Sequence, residues 1–276
     1  MEKGKLYIVA TPIGNMEDIT LRAIRILEEV DLIAAEDTRH TIKLLNNLGI
    51  KKKMISFHEH SDKVKEDEII DLLLLGKNIA LVSDAGTPLI SDPGADLVSK
   101  VVEKGIIAEP IPGACAMIAA LSACGKFREK FVFEGFLPSK AKDRKEAIED
   151  IKTQTRTVVL YEAPHRILKT LKEMEKSLGG LREIVLAREI TKIYEEFIRG
   201  SLSDVIKKIE NRNIKGEIVL IISGCKQEEI VVSDEQIIKS LNKFIENGDT
   251  KKDAVVKTAS ILSVCKNKVY KISIDH

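Results

Sequence analysis

The sequence predicts an α/β fold made of two α/β domains, followed by a small helical unit at the end of the chain. Short apolar runs alternate with amphipathic stretches along most of the chain, which is the pattern of strands joined by crossover helices. The runs are continuously apolar, as expected for parallel strands that are buried on both faces. A length of 276 residues also exceeds the common size of one domain and suits two.

The first part of the chain contains five strand-helix repeats. The first strand, 5–10, is followed by a turn rich in Gly and Pro and then by a helix over 21–30, for which Thr20 is the expected N-cap. Further strands are expected at 32–35, 54–57, 79–83 and 107–111, and further helices at 42–48, 64–75 and 95–104. Strands that follow one another through helices predict a mostly parallel sheet.

The pattern restarts after Pro112 and Gly113, with a helix of small residues over 114–123. Strands are then expected at 132–136, 158–161, 184–187, 195–200 and 218–223, and helices at 144–152, 167–176 and 202–210, the last capped by Ser201. Because the later repeats are less regular, they predict a mixed sheet. Three helical segments follow, at 234–246, at 253–262 and around Val269. We therefore place an N-terminal α/β domain at 1–112, a C-terminal α/β domain at 113–225 and a helical tail at 226–276.

Composition excludes several classes of protein. Lys and Arg number 44 against 43 Asp and Glu, and 44% of the residues are hydrophobic, which indicates a folded chain rather than a disordered one. Apolar runs such as 69–75 are too short to cross a membrane, and no signal-peptide core is evident, so we expect a soluble cytoplasmic protein. The cysteines, Cys115, Cys124, Cys225 and Cys265, are too widely spaced to indicate disulfides or a zinc site.

Three loops that follow strands are rich in Gly and Pro: 10–15, 83–94 and 111–116. Ligands of open α/β sheets bind outside the carboxyl ends of the strands, so these loops are the candidate ligand site. None of them has the dinucleotide-binding or P-loop pattern. They offer backbone amides and carbonyls without a cluster of cations, which suits a neutral or zwitterionic adenosyl ligand better than a polyphosphate.

Six motifs in order carry a resemblance to a known family. They are V-A-T-P-I-G-N-M-E-D-I-T-L-R-A from Val9, A-A-E-D-T-R from Ala34, S-F-H-E-H from Ser56, L-V-S-D-A-G-T-P-L-I-S-D-P-G from Leu81, I-P-G-A-C-A from Ile111 and L-Y-E-A-P-H-R from Leu160. The chain thereby resembles the ribosomal RNA small subunit methyltransferase I family, within the tetrapyrrole methylase-like, class III S-adenosylmethionine-dependent methyltransferases. The resemblance covers about residues 4–224, and T-K-K-D-A and K-N-K-V-Y-K in the tail resemble the family's C-terminal piece.

The resemblance implies a homodimer of chains with two α/β domains and the cofactor, S-adenosyl-L-methionine, in the cleft between them. The implied reaction is 2′-O-ribose methylation of a cytidine (1402) in the decoding region of 16S ribosomal RNA, within the small ribosomal subunit. The implied cofactor-binding residues are Pro12, Ile13, Gly14, Asp84, Gly86, Thr87, Pro88, Leu89, Ile90, Cys115, Ala116, Tyr161, Ala187, Arg188 and Ile218. Cys115 and Ala116 stand where many relatives carry a hydroxyl residue, so backbone contacts are expected there.

Methyl transfer from a sulfonium to an alcohol requires alignment of the reactants and removal of the hydroxyl proton. Glu162 and His165 in Y-E-A-P-H-R and Asp37 in E-D-T-R are the candidate catalytic residues. Glu162 has a second interpretation, because a carboxylate at that place can cap the helix that Pro164 begins. The sequence leaves both roles of Glu162 open.

Candidate RNA-binding residues accompany the same motifs. Arg39 and Arg166 can each bind a phosphate with two hydrogen bonds, or serve as ordinary surface ion-pair partners. His58 and His60, on either side of Glu59, face the same way on a strand and are expected to contact RNA or solvent. Spacing indicates no third ligand beside them, so no metal site is expected.

Basic runs are candidates for further phosphate contacts, since neutralised phosphates supply most non-specific affinity for nucleic acids. They comprise Lys51 to Lys53, the group Lys140, Lys142, Arg144 and Lys145, and the lysine-rich tail from Lys251 onward. Each run taken singly is by default a solvated surface. Lys140 is the member of the second run that we assign to substrate binding.

Two other functions stay open at this point. One is methylation of a tetrapyrrole or of a protein side chain by the same fold, against which E-D-T-R, S-F-H-E-H and the lysine-rich tail argue. The other is a non-catalytic RNA-binding factor that has kept the fold. Such a factor has no need of the Gly- and Pro-rich loops, yet the chain retains them.

Overall fold

The computed structural model describes residues 2–58, 63–125, 130–225, 233–262, 264 and 266–275. The chain forms two compact units, Met1–Cys225 and Lys226–His276. Within the described residues no helix combines the length and the apolar character that a membrane span needs. The assignment of 1–112, 113–225 and 226–276 to separate domains stays a prediction.

Five parallel strands form the first sheet of the larger unit. They are β1 (Lys5–Val9), β2 (Leu32–Ala35), β3 (Met54–Ser56), β4 (Ile79–Val82) and β5 (Ile107–Ile111), in the order β3-β2-β4-β1-β5. The connecting helices are α1 (Leu21–Glu29), α2 (Thr38–Asn47), α3 (Lys63–Leu74) and α4 (Ala95–Glu103). The predicted strand-helix repeats and the parallel sheet are confirmed.

Both faces of this sheet are covered, which explains its continuously apolar strands. In β4, Ala80 and Val82 pack with side chains of α1, whereas Ile79 and Leu81 pack on the opposite face with side chains of α3 and α4. Thr20 caps α1 as predicted, its hydroxyl accepting the amide hydrogen of Ala23 at 3.1 Å. Helix α2 begins four residues before the predicted start at 42, since a capping carboxylate precedes it.

The second sheet is mixed, as predicted. It contains β6 (Phe131–Phe136), β7 (Thr157–Glu162), β8 (Glu183–Arg188), β9 (Glu196–Ser201) and β10 (Ile218–Ile222), in the order β6-β7-β10-β8-β9. Strands β6 and β7 are parallel, and the other neighbours are antiparallel. Its helices are α5 (Ala116–Ala123), α6 (Ala141–Thr153), α7 (Ile167–Leu178) and α8 (Leu202–Ile209).

Two apolar clusters enclose the second sheet. Leu160 and Leu220 face α6, α7 and α8, while Val159 and Val219, one position away on the same strands, face α5. Ile13 joins the second of these clusters although it belongs to the loop after β1. The first Gly- and Pro-rich loop is therefore anchored in the core of the second sheet.

The smaller unit consists of α9 (Asp234–Glu246), α10 (Lys251–Ile261) and α11 (Lys266–Asp275). Ser233 and Gln236 form a reciprocal capping box at the start of α9, and Thr250 caps α10. The three helices enclose a small core of Ile237, Leu241, Ala254, Val255 and Val269. The expectation of three helices in the tail is confirmed.

Candidate functional site

The three Gly- and Pro-rich loops meet at one edge of the first sheet. The amide of Thr11 donates to the carbonyl of Gly86 at 2.8 Å, and the amide of Gly86 donates to the carbonyl of Thr11 at 3.0 Å. The Thr87 hydroxyl donates to the carbonyl of Ala114 at 3.1 Å. These contacts follow from the strand order, because β4, β1 and β5 are neighbours and their carboxyl ends lie side by side.

Two glycines permit this close approach. Gly86 has a φ of +81°, and a Cβ at that position would lie 3.3 Å from Cγ2 of Ile13. A Cβ on Gly113 would lie 2.9 Å from the Cβ of Ala10. A side chain at either position would separate loops that are now in contact.

A cleft of about 610 Å³ lies beside the linked loops, a size typical of small-molecule sites. Its apolar wall combines loop residues with ends of the second sheet: Ile13, Ile90, Phe136, Tyr161, Ile190, Ile218 and Val219. Among the described residues, six carboxylates and one ammonium group also line it: Glu36, Asp84, Asp92, Glu162, Glu189 and Glu217, with Lys192. This charge distribution disfavours a polyphosphate and suits a ligand that carries positive charge.

Most of the predicted cofactor-binding residues line this cleft, namely Ile13, Asp84, Gly86, Thr87, Ile90, Cys115, Ala116, Tyr161 and Ile218. Pro12 and Gly14 line an adjoining cavity of about 270 Å³. The cleft lining does not include the remaining four, which are Pro88, Leu89, Ala187 and Arg188.

Packing explains why those four side chains lie away from the cleft. Pro88 is buried, and Leu89 packs against the core between the first sheet and α3 and α4. Ala187 is fully buried in β8, between β10 and β9. The Arg188 guanidinium donates to Oε2 of Glu196 at 2.7 Å, so it is already engaged. Their assignment to the cofactor stays a prediction.

The backbone beside the cleft adopts an uncommon conformation. Leu89, Ser91, Glu189 and Thr191 have φ values of 75°, 66°, 51° and 68°, and they are the non-glycine residues with positive φ in the described part of the chain. All four belong to the two segments that border the cleft. Left-handed non-glycine residues are uncommon and concentrate at functional sites, where the surrounding structure stabilises them.

Several cleft residues escaped the sequence analysis: Glu36, Ser91, Asp92, Phe136, Glu189, Lys192 and Glu217. Glu36, Ser91 and Asp92 lie inside the quoted motifs. Glu36 directly follows β2, which was a usable signal, whereas Ser91 and Asp92 lie nine and ten residues beyond the end of β4. Lys192, by contrast, comes from a loop without any recognisable motif. Its ammonium donates to Oε1 of Glu189 at 2.9 Å and to Oε2 of Glu217 at 3.0 Å.

Glu162 is buried and bound by three donors. Its carboxylate accepts the amide of Ala163 at 2.8 Å and the hydroxyl of Thr170 at 2.6 Å, and it pairs with Nε of Arg166 at 3.2 Å. These contacts tie the end of β7 to the start of α7. The expected cap of a helix beginning at Pro164 is wrong, because α7 begins at Ile167 with Arg166 as its N-cap, and among the described residues no side chain accepts its first amides. Glu162 also lines the cleft, and its catalytic role stays a prediction.

The other two candidate catalytic residues lie outside the cleft lining. His165 is exposed and borders a separate depression beside α8. Asp37 caps α2 and accepts hydrogen bonds from the Arg39 amide and guanidinium. The Arg39 side chain and amide lower the pKa of Asp37 to about 2. The Asp37 amide donates to Oδ1 of Asp84 at 3.1 Å, so Asp37 reaches the cleft only through Asp84.

The candidate RNA-binding residues occupy different settings. Arg39 and Lys140 are exposed, whereas the Arg166 guanidinium points inward and donates to the Leu137 carbonyl at 2.9 Å. His58 is exposed, and His60 lies outside the described residues. No group of three potential metal ligands occurs in the part of the chain that the structure describes.

One member of the basic run at 140–145 was wrongly counted as surface charge. Arg144 is buried, and its guanidinium donates to Glu173 at 2.7 Å and to the carbonyls of Pro138 and Ser139. It lies on the inner face of α6, whereas Lys142 and Lys145 are exposed. The helical period separates residues that are neighbours in sequence.

Burial changes the acidity of two cleft groups. Removal from water raises the pKa of Asp92 to about 6; the Ser83 hydroxyl opposes this effect, and the nearby charges of Glu36 and Asp84 add to it. Burial likewise raises the pKa of Tyr161 to about 12, so its hydroxyl stays protonated at neutral pH.

Comparison with known proteins gives a consistent result. The family model described as Tetrapyrrole (Corrin/Porphyrin) Methylases matches residues 5–206. The chain is 46% identical over 275 residues to Ribosomal RNA small subunit methyltransferase I of Pasteurella multocida (strain Pm70), covering 99% of this chain and 98% of that protein. The protein of the same name from Escherichia coli O157:H7 is 46% identical over 277 residues, covering 99% and 96%.

Solved structures share the fold at low sequence identity. A cobalt precorrin-4 methyltransferase of cobalamin biosynthesis superimposes with a TM-score of 0.59 at 17% identity, covering 79% of this chain and 94% of that one. Uroporphyrin-III C-methyl transferase from Thermus thermophilus, complexed with S-adenyl homocysteine, gives a TM-score of 0.56 at 16% identity, covering 80% and 97%.

Proposed function

Because this chain belongs to the ribosomal RNA small subunit methyltransferase I family, we propose that it methylates the ribose 2′-hydroxyl of a cytidine in the decoding region of 16S ribosomal RNA. The family uses S-adenosylmethionine as the methyl donor and acts on small-subunit ribosomal RNA. The names of the relatives do not specify the methylated atom or nucleotide, so the ribose oxygen and the cytidine are proposed in addition.

The charge of the cleft is the observation that carries the cofactor in this proposal, and the 46% identity to ribosomal RNA methyltransferases carries the substrate. S-adenosylmethionine has a positive sulfonium, a positive ammonium and one carboxylate, so its net charge is positive. The cleft offers six carboxylates, of which Glu189 and Glu217 are paired with Lys192. Opposite charges attract more strongly in a partly dry cleft than in water. The apolar side chains of Ile13, Ile90 and Ile218 suit the adenosyl part. The residues present therefore fit this cofactor.

The protein must align the reactants and remove a proton. Bound S-adenosylmethionine supplies an electrophilic methyl group, and the linked loops hold the backbone that would fix its position. Alignment alone can lower such a barrier by roughly 7 to 11 kcal/mol. Phe136, 55% exposed at the cleft, presents a ring on which a base of the substrate can stack.

RNA affinity is assigned to exposed cations. Lys51 to Lys53, Lys140, Lys142 and Lys145 are at least partly exposed, and together with lysines of the tail such as Lys251 they can neutralise phosphates. We further propose that the substrate is the RNA within the small ribosomal subunit, that the enzyme is a homodimer, and that it acts in the cytoplasm, where such subunits are assembled.

The alternatives from the sequence have less support. Relatives that are 46% identical along the whole chain carry the ribosomal RNA name, whereas tetrapyrrole methyltransferases share the fold at 15–18% identity. A non-catalytic RNA-binding factor would not need a cleft of about 610 Å³ with this lining.

Incubation with isotope-labelled S-adenosylmethionine tests the proposal. Small ribosomal subunits lacking the modification are the substrate, and mass spectrometry of nuclease fragments locates the label on a nucleotide and distinguishes ribose from base. We expect one labelled ribose on a cytidine of the decoding region. Label on a base, on another RNA or on an added porphyrinoid would contradict the proposal, and absence of cofactor binding in calorimetry would favour the non-catalytic factor.

A further inference from the structure

The six carboxylates of the cleft differ in what they already bind. Glu162 accepts three hydrogen bonds, and Glu189 and Glu217 share the ammonium of Lys192. Glu36 and Asp84 are also engaged, by the backbone amides of Asp84 at 3.2 Å and of Asp37 at 3.1 Å respectively. Each of these five helps to hold the cleft in shape.

Asp92 is in a different position. Within the described part of the chain, no cation and no backbone amide pairs with its carboxylate. The neighbouring Ser83 hydroxyl, which donates to the carbonyl of Ala85 at 3.3 Å, favours its ionised form. It lines the cleft together with Gly86, Thr87 and Tyr161. Ser91, the residue before it, has a left-handed backbone, and the Ser91 hydroxyl lies beside Gly135 of β6.

The surroundings of Asp92 favour uptake of a proton. Glu36 after β2 and Asp84 after β4 face it with negative charge, and Tyr161 from β7 faces it with a neutral hydroxyl at neutral pH. Burial disfavours its ionised form and raises its pKa to about 6. A general base works best when its pKa lies near the pH at which the enzyme operates.

We propose that Asp92 is the catalytic base that accepts the proton of the attacking ribose hydroxyl, an inference that rests on the function proposed above. The O–H bond breaks and its proton passes to the Asp92 carboxylate, while an electron pair of that oxygen forms the new bond to the methyl carbon and the pair of the broken S–C bond stays on sulfur. The sequence analysis had assigned this task to Glu162, His165 or Asp37.

The substitution Asp92→Asn tests the role directly, because the amide has the shape of the carboxylate but cannot take the proton. Methyl transfer is expected to fall by about 10²- to 10⁴-fold, the usual contribution of a general base. Affinity for S-adenosylmethionine, measured by calorimetry, is expected to change by less than about fivefold, because the other five carboxylates of the cleft keep their charge and the backbone of the linked loops is unchanged. Asp96→Asn, an exposed change at the start of α4, is the matched control and is expected to leave both quantities unchanged.

The pH dependence supplies a second readout. In the wild type, kcat/KM is expected to rise with pH through a midpoint of about 6 and to level off above it, because only the ionised carboxylate accepts a proton. Ser83→Ala removes the hydroxyl that favours the ionised form of Asp92. It is therefore expected to move the rising limb of the pH profile of kcat/KM to higher pH, while the maximal value of kcat/KM at high pH is retained. A structural defect would lower the plateau without moving the limb.

Each outcome separates this proposal from the function on which it rests. A wild-type enzyme that labels no ribose contradicts the proposed function and removes the role of Asp92 with it. A wild type that labels ribose, combined with an Asp92→Asn variant that retains its rate and its pH limb, overturns the role of Asp92 alone. Loss of cofactor affinity in proportion to the loss of rate would also overturn it, because Asp92 would then be a cofactor ligand.

Discussion

Thr11 and Gly86 exchange two backbone hydrogen bonds, of 2.8 and 3.0 Å, although 75 residues separate them in the sequence. This short antiparallel bridge joins the loop after β1 to the loop after β4. Because Ile13 from the first loop is anchored in the core of the second sheet, the bridge also connects that sheet to the second loop. The cleft wall therefore depends on contacts between loops, more than on any one loop sequence.

Substitution of Gly86 is expected to abolish cofactor binding without unfolding the protein. A valine there must adopt a φ near +81°, at a cost of about 1–2 kcal/mol, and its Cβ would approach Ile13. We expect Gly86→Val to weaken the affinity for S-adenosylmethionine by more than tenfold in calorimetry. Retained affinity would contradict the assignment of this loop to the cofactor.

Gly49 provides the matched control for that experiment. Its φ is +73°, but a Cβ there would have no neighbour within 4 Å among the described residues. Gly49→Val and Gly86→Val are therefore expected to lower the melting temperature by similar amounts, and only the second to impair cofactor binding. Impairment by both would attribute the effect to general loss of stability.

Much of the fold was predictable because burial on both sides leaves a strong pattern in the sequence. Strands such as β4, with four consecutive buried residues, and helices with an N-cap such as Thr20 were placed within one or two residues. The start of α2 was missed because its first turn, T-R-H-T, is polar, so apolar periodicity begins only at Ile42. The cap Asp37 was instead interpreted as a candidate base.

The sequence predicted those parts of the candidate site that are formed by the backbone of a recognisable loop motif. Loop residues such as Gly86 could be assigned because a glycine in a loop often marks a backbone conformation with positive φ or a close approach of two segments. Charged side chains could not be assigned, since their partners are distant in sequence: Arg144 pairs with Glu173, and Lys192 with Glu217. Without those partners, a buried arginine and a phosphate-binding arginine look the same in a sequence.

Glu162→Gln is expected to act on stability through the start of α7. The variant removes the charge that pairs with Arg166 and weakens the acceptor of the 2.6 Å bond from Thr170. Leaving a buried partner unsatisfied costs about 1–3 kcal/mol, so chemical denaturation should detect it. Thr170→Val removes the same hydrogen bond from the other side and is expected to have a smaller effect in the same direction. A loss of activity in Glu162→Gln at unchanged stability would instead support catalysis by Glu162.

The ion pairs of Glu196 are expected to make stability depend on pH. Arg212 first, and then Arg188, hold the pKa of Glu196 at about 2, below its ordinary value of 4.5, while burial opposes them. The carboxylate therefore stabilises the fold above about pH 4.5, and this contribution is lost as the pH falls towards 2. Since solvent screens the partly exposed side chain, we expect about 1–2 kcal/mol at neutral pH.

Comparison of Glu196→Gln with the wild type in urea tests this dependence. The difference in free energy of unfolding should be full at pH 7 and should shrink between pH 4.5 and pH 2. Glu146→Gln is the control, because Glu146 is exposed and has no ion-pair partner in the part of the chain that the structure describes. A difference that stays constant over this range would show that the ion pairs are not its origin.

Two neighbouring cations of α6 are expected to act on different properties. Lys142 is exposed, so Lys142→Ala should leave stability within about 0.5 kcal/mol and reduce the salt dependence of RNA binding by up to about one phosphate contact. Arg144→Met should leave the salt dependence unchanged but cost about 2–3 kcal/mol, because it leaves Glu173 and two backbone carbonyls without their donor. Filter binding over a range of salt concentrations, together with denaturation, measures both quantities. If Arg144→Met reduced the salt dependence at unchanged stability, the guanidinium would have to reach RNA, and its inward position in α6 would not hold for the enzyme in solution.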